Sequence, residues 1–286
     1  MKPDYDEIAE KILQADAILI GASNGLSITE GLNLFADDEA FENLFGDYKR
    51  KYRLRRILDG FFYSWKTAEE KWGFLSRLID HYSGTYKTSP VMENLKEIVG
   101  DKPYFVLTSN GEGHFELAGF DPAKVYELEG NWLEMRCGRL CHQKTYPVLP
   151  DVRKMAAEEQ NEVIPQELIP RCPVCGSVME LYTAQPPKEK VVEEWQNYRR
   201  AFHQKKLVIL ELGIGWRNQL IKAPLMRMTA DEPFATYITI NLGEVYIPEK
   251  IENKSYGLDG YLSEQLQYIK EAIEKRSSAD DGKSCI

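Results

Sequence analysis

The chain has 286 residues, which is enough for one large domain or two modest ones. It is 43% hydrophobic and 28% charged, and no segment approaches the ~20 consecutive apolar residues of a membrane helix. With 36 Lys and Arg against 45 Asp and Glu, the net charge of −9 argues against nucleic-acid binding through bulk positive charge. The N-terminus is acidic and amphipathic, unlike a signal or transit peptide. We therefore expect a soluble, cytoplasmic, globular protein with no membrane or nucleic-acid partner.

The first elements along the chain have the format of a nucleotide-binding α/β unit. Residues 4–15 place Ile8 and Ile12 on one face of a predicted helix. The apolar run 17–20 (AILI) then leads into the small-residue loop 21–27 (GASNGLS), and strand, Gly-rich turn and helix open such units. Three later apolar runs have the same format, at 104–108 (YFVLT), 207–212 (LVILEL) and 236–242 (TYITINL). These runs predict an α/β fold with a parallel sheet and ligand-binding loops at the carboxyl ends of its strands.

Long segments separate these strands. Residues 38–99 are helical in pattern and rich in aromatic side chains, whereas residues 131–185 contain the close cysteine pairs and look inserted into the α/β domain. A charged helix at 188–206 returns the chain to the sheet, and residues 261–275 predict a final helix with one apolar face. Residues 277–286 (SSADDGKSCI) are typical of a disordered tail.

Four of the five cysteines form two close pairs. These are Cys137 and Cys141, then Cys172 and Cys175. In a cytosolic chain such pairs indicate a metal site before they indicate disulfides, and four thiolates with no open position describe structural zinc. The alternatives are four free thiols, or His142 as a substitute ligand. We predict a zinc held by four sulfurs and assign no role to Cys285.

Three loops that follow predicted strands carry residues suited to a ligand. The first, Gly21–Ser27, lacks the GxGxxG spacing of dehydrogenases and the lysine of a P-loop, so it is either a pyrophosphate-binding loop or an ordinary strand-to-helix turn. The second, Thr108–Phe115, places Asn110 and Glu112 at a strand end, where Gly-rich polar turns usually face a ligand. The third, Glu211–Gly215, repeats this arrangement.

The order of these features resembles that of the sirtuins. A Gly-rich first loop, a T-x-N-x-acid second loop, two cysteine pairs, a Gly-x-Gly strand end and a late strand ending in Asn241 follow one another. The sequence is most similar to the class M sirtuins, the microbial branch linked to macrodomains, from about residue 15 to residue 248. The phrases similar to that branch are AGFDPAKVY (118–126), CHQKTYPV (141–148), IPQELIPRCPVCG (164–176) and LELGIGWRNQLIKAPLMRMT (210–229).

The resemblance implies an NAD-binding, Rossmann-like domain with an inserted small helical and zinc-binding domain, and a substrate in the cleft between them. The implied NAD-binding domain comprises residues 1–37, 86–130 and 204–276. The implied small module comprises residues 38–85 and 131–203.

The resemblance also implies a set of site residues. Those that align with the loop around the cofactor phosphates are Ser23, Asn24, Gly25 and Ser27. Asn110 aligns with the catalytic Asn near the nicotinamide ribose, and Glu112 with the Asp that holds the carboxamide. Gly213 and Gly215 are expected along the phosphates and ribose, and Asn241 near the adenosine ribose.

The sequence departs from the family at five positions. Deacetylating sirtuins have a catalytic His in an L-H-G turn, and class M members usually have Gln, whereas this chain has Glu129. Ser23 and Asn24 stand where the family has Gly-Ala, which adds side chains where the backbone approaches phosphate. Ser109 replaces the Gln of the second loop, and Glu112 lengthens its Asp.

These departures favour NAD-dependent transfer of ADP-ribose over deacylation. Cleavage of the nicotinamide–ribose bond builds positive charge at the anomeric carbon, which the Glu129 carboxylate can stabilise. The carboxylate can also hold the 2′-hydroxyl or act as general base toward the acceptor. The alternative is that Glu129 is a solvated carboxylate at a strand end. The class M resemblance implies a lipoylated carrier protein, similar to the H protein of glycine cleavage, as the acceptor, and a macrodomain protein as a further partner. The alternatives are NAD-dependent deacylation, NAD hydrolysis, and an NAD- or ADP-ribose-binding protein without catalytic activity.

Two further features have competing interpretations. The basic run 49–56 (KRKYRLRR) is either a solvated helix face or a docking surface for an acidic carrier. His114 follows the second loop, where it either replaces the missing base or is fixed by a backbone hydrogen bond.

Overall fold

Nine strands form two sheets in residues 4–183, 185 and 187–281, the part of the chain that the computed structural model describes. The strands are β1 (Ala17–Ala22), β2 (Tyr104–Thr108), β3 (Val125–Glu127), β4 (Gly130–Cys137), β5 (Thr145–Pro147), β6 (Met179–Thr183), β7 (Leu207–Leu212), β8 (Thr236–Asn241) and β9 (Ser255–Asp259). The main sheet is parallel, in the order β3-β2-β1-β7-β8-β9, and β5-β4-β6 form an antiparallel sheet. Numbered within the main sheet, this is the 3-2-1-4-5-6 order of dinucleotide-binding folds, which confirms the predicted Rossmann-like α/β class.

The four predicted strands are the four central strands of the main sheet. All residues of β1 and β7 are buried, because helices cover both faces of a parallel sheet. Sequence analysis did not predict the edge strands β3 and β9, which have three and five residues with several half-buried positions. They lack the continuous apolar run that identifies a central strand.

Eleven α-helices occur in the described ranges. They are α1 (Tyr5–Leu13), α2 (Asn24–Thr29), α3 (Glu39–Tyr52), α4 (Ile57–Phe62), α5 (Ala68–Ile79), α6 (Pro90–Val99), α7 (His114–Leu117), α8 (Leu149–Glu158), α9 (Glu189–Ala201), α10 (Gln219–Asp231) and α11 (Leu262–Asp281). At the start of α1, α3, α5 and α6, a side-chain oxygen accepts a backbone N–H of the first turn. No helix of this part of the chain has the length and apolar character needed to cross a bilayer.

The last helix corrects one prediction. It extends to Asp281, so the disordered tail predicted from residue 277 is wrong for residues 277–281. Residues 282–286, which include Cys285, lie outside the described residues. Ser277 and Ser278 donate side-chain hydrogen bonds to the carbonyls of Ile273 and Glu274, four residues earlier, which helical geometry permits despite the polar sequence.

Helices cover the main sheet on both faces. On one face α1, α6 and α11 bury apolar side chains such as Ile12, Leu95 and Ile269. On the other face α9 and α10 contribute Tyr198 and Leu225. The arrangement leaves the carboxyl ends of the strands as the open edge of the domain, where doubly wound folds bind their ligands.

A separate hydrophobic core joins the helical segment to the antiparallel sheet. Its buried side chains come from residues 32–82 and from residues 132–181. Trp72 and Phe74 of α5 are fully buried there, and Tyr63 and Trp65 pack against them at its margin. These aromatic residues therefore belong to a packed core.

One fully buried ion pair joins α10 to β7. Lys222 of α10 contacts Glu211 of β7, and both side chains have zero exposure. The same carboxylate accepts hydrogen bonds from the hydroxyls of Thr239, at 2.9 Å, and Tyr237. Because the charges are paired and the carboxylate is hydrogen-bonded, their desolvation is compensated. The pair fixes α10 against β7 and β8.

Lys222→Met should leave the Glu211 carboxylate buried without its cation. We expect the free energy of unfolding to fall by about 3–5 kcal/mol, measured by urea denaturation. The double variant Glu211→Gln/Lys222→Met removes both charges and should lose clearly less than the sum of the two single variants. Additive losses would contradict the pairing.

Candidate functional site

The loops after β1 and β7 touch at two glycines. A Cβ atom on Gly25 would lie 2.5 Å from the Cα atom of Gly213, and one on Gly213 would lie 2.6 Å from the Cα atom of Gly25. Gly213 also has a φ of +60°, in the left-handed region. The N–H of Gly25 donates to the carbonyl of Gly213 at 2.9 Å. The contact forms where the strand order reverses, which is the ligand crevice of this fold class.

Three polar side chains connect the loops after β1, β2 and β7. The hydroxyls of Ser23 and Ser109 lie 3.1 Å apart. The amide of Asn218 donates to both, at 2.8 Å and 3.0 Å. Ser23 is 1% exposed, so its side chain is held in this network. Sequence analysis did not single out Asn218, because only the fold brings it to the other two loops.

Asn110 lies at the centre of the edge and is buried. Its backbone N–H donates to Thr108 Oγ1 at 3.0 Å, and its side-chain Nδ2 donates to the Ser23 carbonyl at 3.1 Å. These bonds fix the amide orientation. The buried Oδ1 has no hydrogen-bond partner among the described residues. Buried acceptors are normally satisfied, so this oxygen is suited to a donor on a ligand.

Glu112 and Ser27, two further predicted site residues, contact each other. The Ser27 hydroxyl donates to Glu112 Oε1 at 2.7 Å, and both residues are buried. Burial raises the pKa of Glu112, while the nearby His114 and the Ser27 hydroxyl act in the opposite direction. Ser27 is therefore engaged with the carboxylate of the second loop.

The turn that contains Glu129 adjoins Asn110. Leu128 N donates to the Thr108 carbonyl at 2.9 Å, and Trp132 N donates to the Gly111 carbonyl at 2.7 Å, so the turn is tied to the second loop on both sides. Glu129 itself is exposed and makes no hydrogen bond or ion pair with the described residues. The neighbouring carboxylate, Glu127, has a different environment.

Glu127 is a candidate functional residue that the sequence pattern does not reveal. It lines a cavity of about 290 Å³ between β3, β4 and α9, together with Glu116 and Glu134. Asn131 Nδ2 donates to Glu127 Oε2 at 2.6 Å. Burial raises the pKa of Glu127 to about 7, against the effect of the Asn131 hydrogen bond and with support from the nearby carboxylates. Glu127 lies two residues before Glu129, and the residues around it form no motif that would have identified it.

The remaining predicted cofactor residues lie along the same edge. Asn24 begins α2 and is half-buried, and Gly215 is half-buried two residues after Gly213. Asn241 ends β8, and its Nδ2 donates to the carbonyl of Ile214 at 3.3 Å. The edge therefore runs from Glu112, through Asn110 and the glycine contact, to Asn241.

The four paired cysteines come together as predicted. Their sulfur atoms all lie within 4.8 Å of one another, with 3.5 Å between Cys137 and Cys175 and 3.5 Å between Cys141 and Cys172. A tetrahedral zinc with Zn–S bonds of about 2.3 Å requires S···S edges of about 3.8 Å, so the four thiols fit that ion. His142 Nε2 lies 3.4 Å from Cys172 Sγ, beside the cluster, and the four sulfurs complete a tetrahedron without it.

Comparison with known proteins gives two curated relatives. The chain is 32% identical over 262 residues to a protein ADP-ribosyltransferase of Staphylococcus aureus, with 87% of this chain and 82% of the relative covered. It is 28% identical over 222 residues to a probable bifunctional ADP-ribose hydrolase/ADP-ribosyltransferase of Fusarium oxysporum, with 72% and 36% covered. No protein-family model matches the chain.

Solved sirtuin structures share the fold. A Sir2 homologue in complex with NAD has a TM-score of 0.61 at 14% identity, covering 95% of this chain and 94% of its own. A Sir2 homologue in complex with ADP-ribose has a TM-score of 0.60 at 14% identity, covering 95% and 97%. The chain belongs to the sirtuin-fold family of protein ADP-ribosyltransferases. The resemblance to sirtuins is thus confirmed, and the class M assignment stays a prediction.

Removal of the metal tests the cysteine cluster. We expect one zinc per chain by elemental analysis, and we expect Cys172→Ser to lose that zinc and to lower the free energy of unfolding by more than ~3 kcal/mol. Cys285→Ser is the matched control and should keep the zinc. Full zinc content in Cys172→Ser would contradict the four-sulfur site.

The raised pKa of Glu127 predicts a pH-dependent stability. Between its ordinary pKa of 4.5 and its folded pKa of about 7, the folded protein retains a proton that the unfolded chain releases. The contribution to stability is full below the ordinary pKa and is lost as pH rises through the folded pKa.

Glu127→Gln lacks this titration, so from pH 5 to pH 8 it should gain about 1–2 kcal/mol relative to the wild type, after allowance for partial exposure. Urea denaturation at both pH values measures the difference. The exposed Glu129→Gln serves as control and should follow the wild type. A constant difference between Glu127→Gln and the wild type would refute the raised pKa.

Proposed function

We propose that this protein transfers a single ADP-ribose unit from NAD to a protein acceptor and releases nicotinamide. The observation that carries the proposal is the buried, unpartnered Oδ1 of Asn110, which lies beside the crossing of Gly25 and Gly213 at the ligand edge of the sheet. A ribose hydroxyl is a donor of the kind this oxygen lacks. The ADP-ribosyltransferase relative supports the same chemistry.

We assign the NAD-binding residues by their place along this edge. The residues around the phosphates are Ser23, Asn24, Gly25, Ser27, Gly213 and Gly215. Asn110 is assigned to the nicotinamide ribose, Glu112 to the carboxamide, and Asn241 to the adenosine ribose. Two hydrogen bonds support this order of residues along the edge. Ser27 donates to Glu112 at one end, and Asn241 donates to the carbonyl of Ile214 at the other.

In the proposed reaction, the bond between ribose C1′ and the nicotinamide nitrogen breaks, and the nitrogen keeps the electron pair. A nucleophile of the acceptor then bonds to C1′ and loses its proton. Positive charge develops on the ribose as nicotinamide leaves, so preorganised acceptor oxygens and carboxylates lower the barrier. We assign this role to Asn110 and Glu129, with Glu129 also able to receive the proton of the acceptor.

The exposure of Glu129 supports a proteinaceous acceptor. A carboxylate that faces solvent beside a buried ribose site is reachable by a group on another macromolecule. We propose, from the class M resemblance, a lipoylated carrier protein similar to the H protein of glycine cleavage. Four of the six basic residues of the run have carboxylate partners: Lys49 pairs with Asp37, Arg50 with Glu42, Lys51 with Glu162 and Arg56 with Asp59. Arg53 and Arg55 are exposed and form no such ion pair within the described residues, so these two arginines can meet an acidic carrier.

A macrodomain protein is the second proposed partner. The Fusarium relative bears the name of a bifunctional ADP-ribose hydrolase and ADP-ribosyltransferase. Such a combination supports a system in which one activity attaches ADP-ribose and another removes it. The chain spans about a third of that relative, so the hydrolase is proposed as a separate partner.

Nicotinamide release from NAD, with and without a lipoylated carrier protein, tests the proposal. We expect carrier-dependent release together with the mass of one ADP-ribose on the carrier, followed by intact mass spectrometry. Asn110→Ala and Glu129→Ala should each reduce transfer at least ~100-fold. Glu93→Ala, at an exposed position of α6, is the matched control and should retain activity.

The products distinguish the alternatives. Release of nicotinamide with free ADP-ribose alone would indicate NAD hydrolysis, and loss of an acyl group from an acylated peptide would indicate deacylation. NAD binding without any release would leave an NAD-binding protein. Full activity of Glu129→Ala would remove that residue from the mechanism.

A further inference from the structure

A buried pair of a histidine and a glutamate lies close to Glu112. The side chains of His114 and Glu30 are each 1% exposed, and His114 Nδ1 lies 2.8 Å from Glu30 Oε2. The other ring nitrogen, Nε2, lies 2.7 Å from the carbonyl oxygen of Tyr82. A carbonyl and a carboxylate both only accept, so both ring nitrogens carry protons. His114 is therefore an imidazolium cation.

Further contacts stabilise this charged form. Glu30 also accepts hydrogen bonds from the Tyr86 hydroxyl at 2.7 Å and from the Ser89 hydroxyl at 2.5 Å. Burial acts against the charges, yet the mutual hydrogen bond holds the pKa of Glu30 below and that of His114 above its ordinary value. The Tyr86 ring stacks on His114 with centroids 3.8 Å apart.

The cation faces a second carboxylate. The charged groups that act on His114 are Glu30, at the end of α2, and Glu112, two residues earlier in its own loop. Glu112 is buried, with one hydroxyl partner from Ser27, and its backbone carbonyl accepts from Ser83 Oγ at 2.8 Å. Burial and the Glu30 carboxylate favour the protonated form of Glu112, whereas the His114 cation and the Ser27 hydroxyl favour its ionised form.

We propose that His114 is a positioning residue for the NAD reaction: its charge, fixed by Glu30, favours the ionised, accepting form of Glu112, and its two hydrogen bonds fix the second loop. The ion pair joins three segments, the end of α2, the turn after α5 and the loop after β2. An ionised Glu112 offers two acceptor oxygens to the NH₂ group of a carboxamide. A protonated Glu112 carries an O–H donor on one oxygen and accepts strongly only through the other. This inference rests on the proposed function for the identity of the carboxamide ligand.

The test compares wild type with His114→Gln, which removes the cation and keeps a polar side chain. We expect the acid limb of the pH profile for nicotinamide release to move upward by about one pH unit, and activity below that limb to fall about tenfold. His203→Gln is the matched control, because His203 makes an exposed pair with Glu232 on the opposite side of the sheet, and its profile should match the wild type.

A second readout is independent of activity. In protein labelled with ¹³C in the glutamate carboxyl groups, the Glu112 resonance is identified by its loss in Glu112→Gln, and its titration should move upward in His114→Gln. If the wild type releases no nicotinamide, the proposed function fails while this titration still decides the role of His114. An unchanged Glu112 titration, or an activity loss equal at every pH, would overturn the positioning role.

A third readout needs no variant. Nitrogen NMR of the four histidines in the wild-type protein should show one imidazole, assigned to His114, that is doubly protonated at pH 7.5. A neutral His114 ring at that pH would overturn the proposal even if His114→Gln failed to fold.

Discussion

The site depends on the contact between Gly25 and Gly213. The loops after β1 and β7 cross with backbone atoms close enough that a Cβ atom on either residue would collide with the other. This approach brings Ser23, Asn110 and Asn218 within hydrogen-bond reach of one another's loops. A larger residue at the crossing would push these two loops apart. A ligand is expected to lie across both halves of the doubly wound sheet at this point.

The buried polar groups of the domain differ in whether they have a hydrogen-bond or ion-pair partner within the protein. The ion pair of Glu211 and Lys222 is closed within the protein and stabilises the packing of α10. The pair of Glu30 and His114 is also closed, but its cation acts on Glu112 in the site. Asn110 differs, because one of its buried atoms has no partner. The satisfied groups build the frame around the glycine contact, and the Oδ1 atom of Asn110 is the contact that we propose for the ligand.

β4 connects the cysteine cluster to the turn of Glu129. This strand begins at Gly130, next to Glu129, and ends at Cys137, one of the four clustered thiols. Gly130 has a φ of +75° and lies so close to the Tyr182 carbonyl that a Cβ atom would be 1.9 Å away. A metal held by the cluster would anchor the end of β4 that lies opposite the turn of Glu129. A structural ion can influence catalysis in this way without contacting the reacting atoms.

The sequence by itself determined the local features: four apolar runs, the loops that follow them, and cysteine pairs whose spacing specifies a chelate. These depend on neighbours along the chain, and the resemblance added the roles of Asn110 and Glu112. Only the tertiary structure decided which residues from distant segments meet. Asn218, Glu127 and the pair of Glu30 and His114 carry no local pattern, because their environments arise from burial and from charges that folding alone brings together. The residue at which α11 ends could also not be predicted from the sequence, because a polar composition does not exclude a helix.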